Sequence, residues 1–197
     1  MARVTHPIEQ ESYRILRARL DLSHLPPLSR AVAERIVHAA ADVALFETLV
    51  LDEDALARGR EALLGGAPVV TDSRMTAVGI TSREPLVPLD EPRVADLAAA
   101  EGLTRSAAAM RLAVAEAGPG WVWAVGNAPT ALFALLDRPP PDPALIVGMP
   151  VGFVGAADAK AALAASGLPC VTNRGERGGS AVAVAAVNAL LYAEAVA

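Results

Sequence analysis

The chain has 197 residues, of which 53% are hydrophobic, so it is long enough for one well-filled core and is expected to be a single domain over residues 1–197. Its formal net charge is -5, and it has no lysine and arginine run suited to a phosphate backbone, which disfavours nucleic acid as a partner. One cysteine, an N-terminus without an apolar signal core and the absence of an apolar stretch of bilayer length favour a cytoplasmic protein without a membrane span.

The first 64 residues are predicted to be mainly helical. Apolar residues at helical spacing predict one helix over 8–20 and a second over 29–45, separated by prolines. A short strand is predicted over 46–51. It is followed by a helix over 54–64, with the Asp54 carboxylate as its N-cap.

From Gly65 onwards, short apolar runs alternate with amphipathic helices. The predicted strands are 68–71, 121–125, 144–147 and 168–171, and the predicted helices are 104–117, 129–136, 156–165 and 180–196. Continuous apolar strands separated by helices predict a mostly parallel sheet covered on both faces. We therefore expect an α/β fold in three α/β/α layers, with residues 65–197 as the sheet core and residues 1–64 as a helical N-terminal part.

Glycines and polar residues follow each of the predicted strands. The carboxyl ends of parallel strands meet at one edge of a sheet, where ligands bind and where backbone amides and helix N-termini suit anions. The four turns, 72–75, 126–130, 148–155 and 174–180, are therefore expected to converge on one site. They contain the candidate site residues Asp72, Ser73, Met75, Asn127, Thr130, Val151, Gly152, Phe153, Arg177, Gly179 and Ser180.

His38 lies on the second predicted helix, with Glu34 and Asp42 one turn to either side. Two neighbouring carboxylates favour the protonated imidazole, which suits a general acid. The alternative is a histidine that is only solvated or hydrogen-bonded. Three scattered histidines do not have the spacing of a zinc site, and neither a phosphate-binding loop nor a serine nucleophile motif occurs. The residues by themselves indicate an anion-binding α/β enzyme.

Five motifs can be read along the chain between Ile8 and Leu190. They are Ile36-Val37-His38-Ala39, Thr104-Arg105-Ser106-Ala107-Ala108-Ala109, Gly126-Asn127-Ala128-Pro129-Thr130-Ala131-Leu132, Pro150-Val151-Gly152-Phe153-Val154-Gly155-Ala156, and Gly178-Gly179-Ser180-Ala181 with Asn188-Ala189-Leu190. In residues and in order, these motifs together resemble the precorrin-8X methylmutase family of cobalamin biosynthesis.

The resemblance implies an isomerase that moves a methyl group from C11 to C12 of precorrin-8X, or of its cobalt-containing counterpart, to give hydrogenobyrinic acid. It implies a flavodoxin-like homodimer with active sites at the subunit interface, and no cofactor, because the methyl group never leaves the substrate. His38 matches the family's histidine, which is taken to protonate the macrocycle in an acid-assisted 1,5-sigmatropic shift. Hand-over of the product to the next enzyme of the pathway is a further expectation.

A substrate with many carboxylates needs local arginines, backbone amides and helix N-termini in an acidic protein. The candidates for this task are Arg14 with the nearby Ser12, Arg105 with Ser106, and Arg174 or Arg177. Met75, Gly79, Val151 and Phe153 are expected to supply apolar surface for the faces of the ring.

The chain departs from the family's pattern at two places. Ala40 and Ala41 stand where a cysteine and glycine or a similar small pair is usual, and residues 84–89 contain two prolines where the family has a strand. Two other functions remain open for these residues. One is a non-catalytic carrier of tetrapyrroles, and the other is an enzyme of unrelated small-anion chemistry that uses the same turns.

Overall fold

The computed structural model describes residues 6–193. Its helices are α1 (Pro7–Arg19), α2 (Pro27–Ala40), α3 (Glu53–Leu64), α4 (Arg74–Gly79), α5 (Arg93–Glu101), α6 (Arg105–Glu116), α7 (Pro129–Asp137), α8 (Ala156–Ala165) and α9 (Ser180–Tyr192). Its strands are β1 (Leu49–Val50), β2 (Val69–Thr71), β3 (Val122–Val125), β4 (Leu145–Gly148) and β5 (Cys170–Asn173). Two short 3₁₀ helices span Val43–Thr48 and Pro88–Asp90.

The five strands form one sheet in the order β1-β5-β4-β3-β2. Strands β2 to β5 are parallel, and β1 joins the edge at β5 in the antiparallel direction. Every residue of β2, β3 and β4 is buried, as expected for parallel strands covered on both faces. The mostly parallel α/β sheet predicted from the apolar runs is therefore confirmed.

Helices cover both faces of this sheet. One core cluster packs residues of α2, α3 and α9 against Val122, Leu145 and Val171. A second cluster packs α6, α7 and α8 against the other face, at Val70, Trp123 and Ile146. Helices α6, α7 and α8, which lead into β3, β4 and β5, thus lie together, since right-handed crossovers that progress in one direction place their helices on one face. The short helix α4 instead contacts α9. The three layers are confirmed.

The region between α2 and α3 differs from the prediction. The helix predicted over 29–45 ends at Ala40, because Ala41 adopts a left-handed backbone with φ of 50°. A 3₁₀ helix follows, so the strand predicted over 46–51 shortens to β1. The cap of α3 is Asp52, whose side chain accepts hydrogen bonds from two backbone N–H groups, and the prediction of Asp54 as the cap was wrong.

Two helices, α4 and α5, were not predicted. Helix α4 is short and begins at the N-cap Ser73 inside a segment that reads as a polar turn. In the proline-containing segment 84–89, Leu86 forms a single bridge to Val70 of β2 before a 3₁₀ turn, in keeping with the prolines. The helix predicted over 180–196 ends at Tyr192 in the structure, and the predicted residues 194–196 lie outside the described residues. Within the described part of the chain, no helix is long and apolar enough to cross a membrane.

Candidate active site

A cleft of about 410 Å³ opens between α2, α4 and α9. Four of the residues singled out in the sequence, His38, Met75, Gly79 and Ser180, line it together. They come from three separate segments of the chain, which the fold brings to one place. The remaining lining residues are Arg35, Ala39, Ala181, Val184, Ala185 and Asn188.

His38 is half-buried in the wall of this cleft, near the end of α2. Its Nδ1 atom lies 3.0 Å from the hydroxyl oxygen of Ser12 on α1. Ser12 occupies Nδ1, and the other ring nitrogen, Nε2, has no hydrogen-bond partner among the described residues. Nε2 is therefore the nitrogen that can bind a ligand. The pairing of Ser12 with His38 joins two of the residues named from the sequence.

The two carboxylates expected beside His38 are engaged elsewhere. Glu34 receives two hydrogen bonds of 2.8 Å from Arg17. Asp42 caps the 3₁₀ helix through Ala44 N–H and accepts a 2.5 Å bond from Arg177. Each of the two carboxylates thus has an arginine as its hydrogen-bond partner, and neither is hydrogen-bonded to His38 among the described residues.

Asp72 organises the turn after β3. It is only 1% exposed, and its carboxylate accepts hydrogen bonds from the backbone N–H groups of Gly126, Asn127 and Ala128 at 3.1, 2.7 and 2.7 Å. These amides are therefore occupied by the protein's own carboxylate. Asn127 itself is exposed beyond this turn.

A buried line of hydroxyl groups connects Asp72 with the cleft. Thr76 of α4 donates to Asp72 at 3.1 Å, and its hydroxyl oxygen lies 3.0 Å from the hydroxyls of Ser73 and Ser180. Gly126 permits this approach, since a Cβ atom at that position would lie 2.7 Å from the Cα atom of Ser180. Ser73 thus faces the hydroxyl network, whereas Ser180 also lines the cleft.

The turns after β4 and β5 are hydrogen-bonded to each other. The Gly152 N–H donates to the carbonyl of Glu176, and the Gly179 N–H donates to the carbonyl of Met149. Gly178 is required at its position because a Cβ atom there would meet the Met149 and Pro150 carbonyl oxygens at 2.4 and 2.7 Å. The four turns that follow the parallel strands therefore form one connected edge, as the sequence predicted.

Lys160 of α8 lies beneath the turn after β5. It was not identified from the sequence as part of the site. Its side chain is fully buried, and its ammonium donates to Asn173 Oδ1 at 3.3 Å and to the carbonyl of Arg177. Burial lowers the pKa of Lys160 to about 8, while the charge of Glu176 acts in the opposite direction. The lysine therefore ties the turn to the helix behind it.

The candidate arginines lie in different surroundings. Arg14 is exposed and paired with Glu11 on the same helix, and Arg177 is paired with Asp42. Arg105 and Arg174 are exposed, at the start of α6 and after β5. Arg35 was not singled out in the sequence, yet it is the arginine that lines the His38 cleft.

Other candidates lie outside that cleft. Thr130 accepts a 2.8 Å hydrogen bond from Thr104 and lines a separate cleft between α6 and α7, and Ser106 lies in the first turn of α6. Phe153 and Val151 project from the turn after β4, and Phe153 is 92% exposed. Among the described residues, no group of three or more His, Cys, Asp or Glu side chains could hold a metal ion.

Comparison with known proteins identifies relatives of this chain. The family model of precorrin-8X methylmutase matches residues 7–193. The chain is 46% identical to the precorrin-8X methylmutase of Pseudomonas aeruginosa, with 93% of each chain covered, and 40% identical to the cobalt-precorrin-8 methylmutase of Salmonella typhimurium, with 94% and 93% covered. A crystal structure of precorrin-8X methylmutase from Thermus thermophilus superposes with a TM-score of 0.83 at 36% identity, with 93% of each chain covered.

Proposed function

The chain belongs to the precorrin-8X methylmutase family, and from this premise we propose how its cleft performs the reaction. As a member of that family it is an intramolecular methyl-shifting isomerase of cobalamin biosynthesis. The proposed substrate is precorrin-8X or its cobalt form, since relatives with either name match the chain over nearly its full length. The alternative of a non-catalytic carrier is not favoured by this family membership.

His38 is the proposed acid. The methyl group leaves C11 and bonds to C12 of the same ring, so no nucleophile or external methyl donor takes part. A proton from Nε2 polarises the conjugated ring system and lowers the barrier, and it returns to the protein because substrate and product are isomers. The supporting observation is that Ser12 occupies Nδ1, while Nε2 in the cleft wall has no hydrogen-bond partner within residues 6–193.

The walls of the cleft are proposed to hold the ring in one shape. Ala181, Val184 and Met75 present apolar surface, and Gly79 keeps the α4 wall free of a side chain. Arg35, which lines the cleft, is proposed to meet a carboxylate of the substrate, and the exposed Arg14, Arg105 and Arg174 are proposed to meet others. Ser106, Asn127, Thr130, Val151, Gly152, Phe153, Arg177 and Gly179 remain proposed contacts of this large ligand.

A homodimer is the proposed assembly, with a second copy completing the site. The turn after β4 leaves Phe153 and Val154 almost fully exposed, at 92% and 89%. Met75, which lines the cleft, is 67% exposed. Large apolar side chains exposed together are typical of a surface that another protein covers. A partner that packs on this edge would also enclose a ring bound next to His38.

The proposed compartment is the cytoplasm, in keeping with a chain whose one cysteine, Cys170, can form no internal disulfide. A product held between two subunits would be sheltered until a following enzyme takes it, so direct hand-over along the pathway is part of the proposal.

The role of His38 is tested by His38→Ala. We expect this variant to convert precorrin-8X about 10²- to 10⁴-fold more slowly, the usual contribution of a positioned acid, while it still binds the substrate. The methyl shift changes the conjugation of the ring, so the absorption spectrum after mixing follows the reaction directly. His24→Ala is the matched control, because His24 is exposed and does not line the cleft. Undiminished turnover of His38→Ala would contradict the proposal.

A further inference from the structure

The aromatic ring of Tyr13 lies against the imidazole of His38. The two ring centroids are 4.7 Å apart, and the ring planes differ by only 13°, which is a stacked arrangement. Tyr13 belongs to α1 and His38 to α2, so the stack joins two helices. Tyr13 does not line the cleft itself, so its influence on a bound ligand passes through the cleft residues that it contacts, which are His38 at its ring and Arg35 at its hydroxyl group.

The stack restricts rotation of the His38 imidazole, which the hydrogen bond with Ser12 leaves free. The hydrogen bond of 3.0 Å between the Ser12 hydroxyl and Nδ1 directs the other ring nitrogen, Nε2, away from α1. The terminal torsion of a histidine is broad, so a single hydrogen bond holds the plane of the imidazole weakly. A flat ring packed on one face of the imidazole prevents it from rotating about that torsion. Two consecutive residues of α1, Ser12 and Tyr13, therefore fix both the ring nitrogen that faces away from α1 and the plane of His38.

The Tyr13 ring is itself held in place. Arg17, one turn further along α1, places its guanidinium carbon 5.7 Å from the ring centroid, within the range of a cation–π contact. Arg17 in turn donates two hydrogen bonds of 2.8 Å to the buried Glu34 of α2. Burial raises the pKa of the Tyr13 phenol above its ordinary value, so the ring against His38 is a neutral phenol.

We propose that Tyr13 is a positioning residue for His38, whose ring keeps the imidazole plane aligned so that Nε2 stays directed at the bound macrocycle. This inference rests on the proposed function of His38 as the acid. Proton delivery depends steeply on geometry, and a displacement of about 1 Å can cost roughly 10²-fold in rate. The aromatic ring is the part of Tyr13 that positions His38, whereas the phenol hydroxyl contacts Arg35.

The test compares Tyr13→Leu with Tyr13→Phe in both the native and the His38→Ala background. In the native background, we expect Tyr13→Leu to lower kcat about 10-fold with KM nearly unchanged, because a loosened imidazole affects the proton transfer and leaves substrate binding intact. Tyr13→Phe keeps the stack and is expected to retain the native kcat. In the His38→Ala background, Tyr13→Leu is expected to be as active as Tyr13→Phe, since both lack the hydroxyl group beside Arg35 and the ring has no imidazole left to position.

The outcomes separate this inference from the role of His38. Equal losses from Tyr13→Leu in both backgrounds, or a Tyr13→Phe variant as slow as Tyr13→Leu, would overturn the positioning role and leave His38 as the acid. Full activity of His38→Ala would overturn both.

A measurement on the resting protein adds a test that needs no turnover. The imidazole proton signals of His38, identified by their loss in His38→Ala, are expected to be shifted upfield by the ring current of Tyr13 in the native protein and in Tyr13→Phe. Unshifted signals in the native protein would overturn the stack whether or not Tyr13→Leu folds.

Discussion

Lys160 shows how strongly the surroundings of one side chain determine its chemistry in this protein. A lysine on a helix normally extends into water, but this one is fully buried between α8 and the turn after β5. Its ammonium replaces water contacts with Asn173 Oδ1 and the Arg177 carbonyl. The loss of hydration outweighs these contacts, so the pKa of Lys160 falls to about 8 from its ordinary value of 10.5.

The lowered pKa of Lys160 predicts a stability that depends on pH. Between pH 8 and 10.5, the unfolded chain keeps this proton and the folded chain releases it, so the free energy of unfolding rises with pH in that window. We expect a gain of about 1–3 kcal/mol across it relative to Lys160→Met, which has no titrating group there. Urea denaturation of both proteins between roughly pH 7.5 and pH 10.5, the range that spans the folded and unfolded pKa values of Lys160, measures the difference. Parallel curves would show that the lysine does not lose its charge on folding.

At the scale of elements, the end of α2 decides where His38 lies. Ala41 turns the chain out of the helix with a left-handed backbone, and Asp42 then caps the 3₁₀ helix and binds Arg177 of the turn after β5. His38, three residues before this exit, is thereby held at a fixed distance from the carboxyl edge of the sheet. A residue with a Cβ atom is strained in the left-handed region, so the backbone conformation of Ala41 is unfavourable for alanine.

This exit predicts opposite effects for two neighbouring glycine substitutions. Ala41→Gly is expected to raise the free energy of unfolding by about 0.5–1 kcal/mol, because glycine adopts a positive φ without steric cost. Ala40→Gly is the matched control: it lies in the last helical position, is equally exposed, and is expected to lower that free energy by about 0.5–1 kcal/mol. Denaturant titration measures both, and effects of the same sign would contradict the role of Ala41.

At the scale of the whole molecule, all four parallel strands end at one edge, and the connecting turns bind to one another there. Asp72 joins the turns after β2 and β3, Thr76 reaches Ser180, and Gly179 reaches Met149. The same edge carries the exposed apolar side chains of Phe153 and Val154. A rigid edge with an apolar rim is suited to contact with a second copy of the chain.

The proposed dimer predicts a mass of twice 20.2 kDa in solution at micromolar concentration. Phe153→Asp is expected to shift the protein towards the monomer and to lower activity, because a charge at the centre of an apolar contact loses its hydration on association. Leu64→Asp is the control, since Leu64 is also exposed but lies at the opposite edge, before β2. Light scattering measures the mass, and a native protein that scatters as a monomer would rule out the dimer.

The residues of the site were accessible to sequence reasoning to different degrees. His38 and Ser180 stand in recognisable motifs, and Met75 and Gly79 were named as apolar contacts; the structure places all four in one cleft. Tyr13, Arg35 and Lys160 carried no signal, because tyrosine, arginine and lysine on an amphipathic helix are ordinary surface residues until their neighbours are known. Glu34 and Asp42 were paired with His38 from helix spacing, which cannot reveal an arginine that arrives from another segment.

The sequence alone determined the class of fold, the edge at which the turns meet, and the family. Each of these follows from local patterns, because apolar runs, glycine turns and motifs are properties of neighbouring residues. Only the tertiary structure decided which side chains touch: that Ser12 binds His38, 26 positions away, and that Asp72 occupies the amides of the next turn. Such pairings depend on how helices and strands pack in three dimensions, and spacing along the chain does not encode that distance.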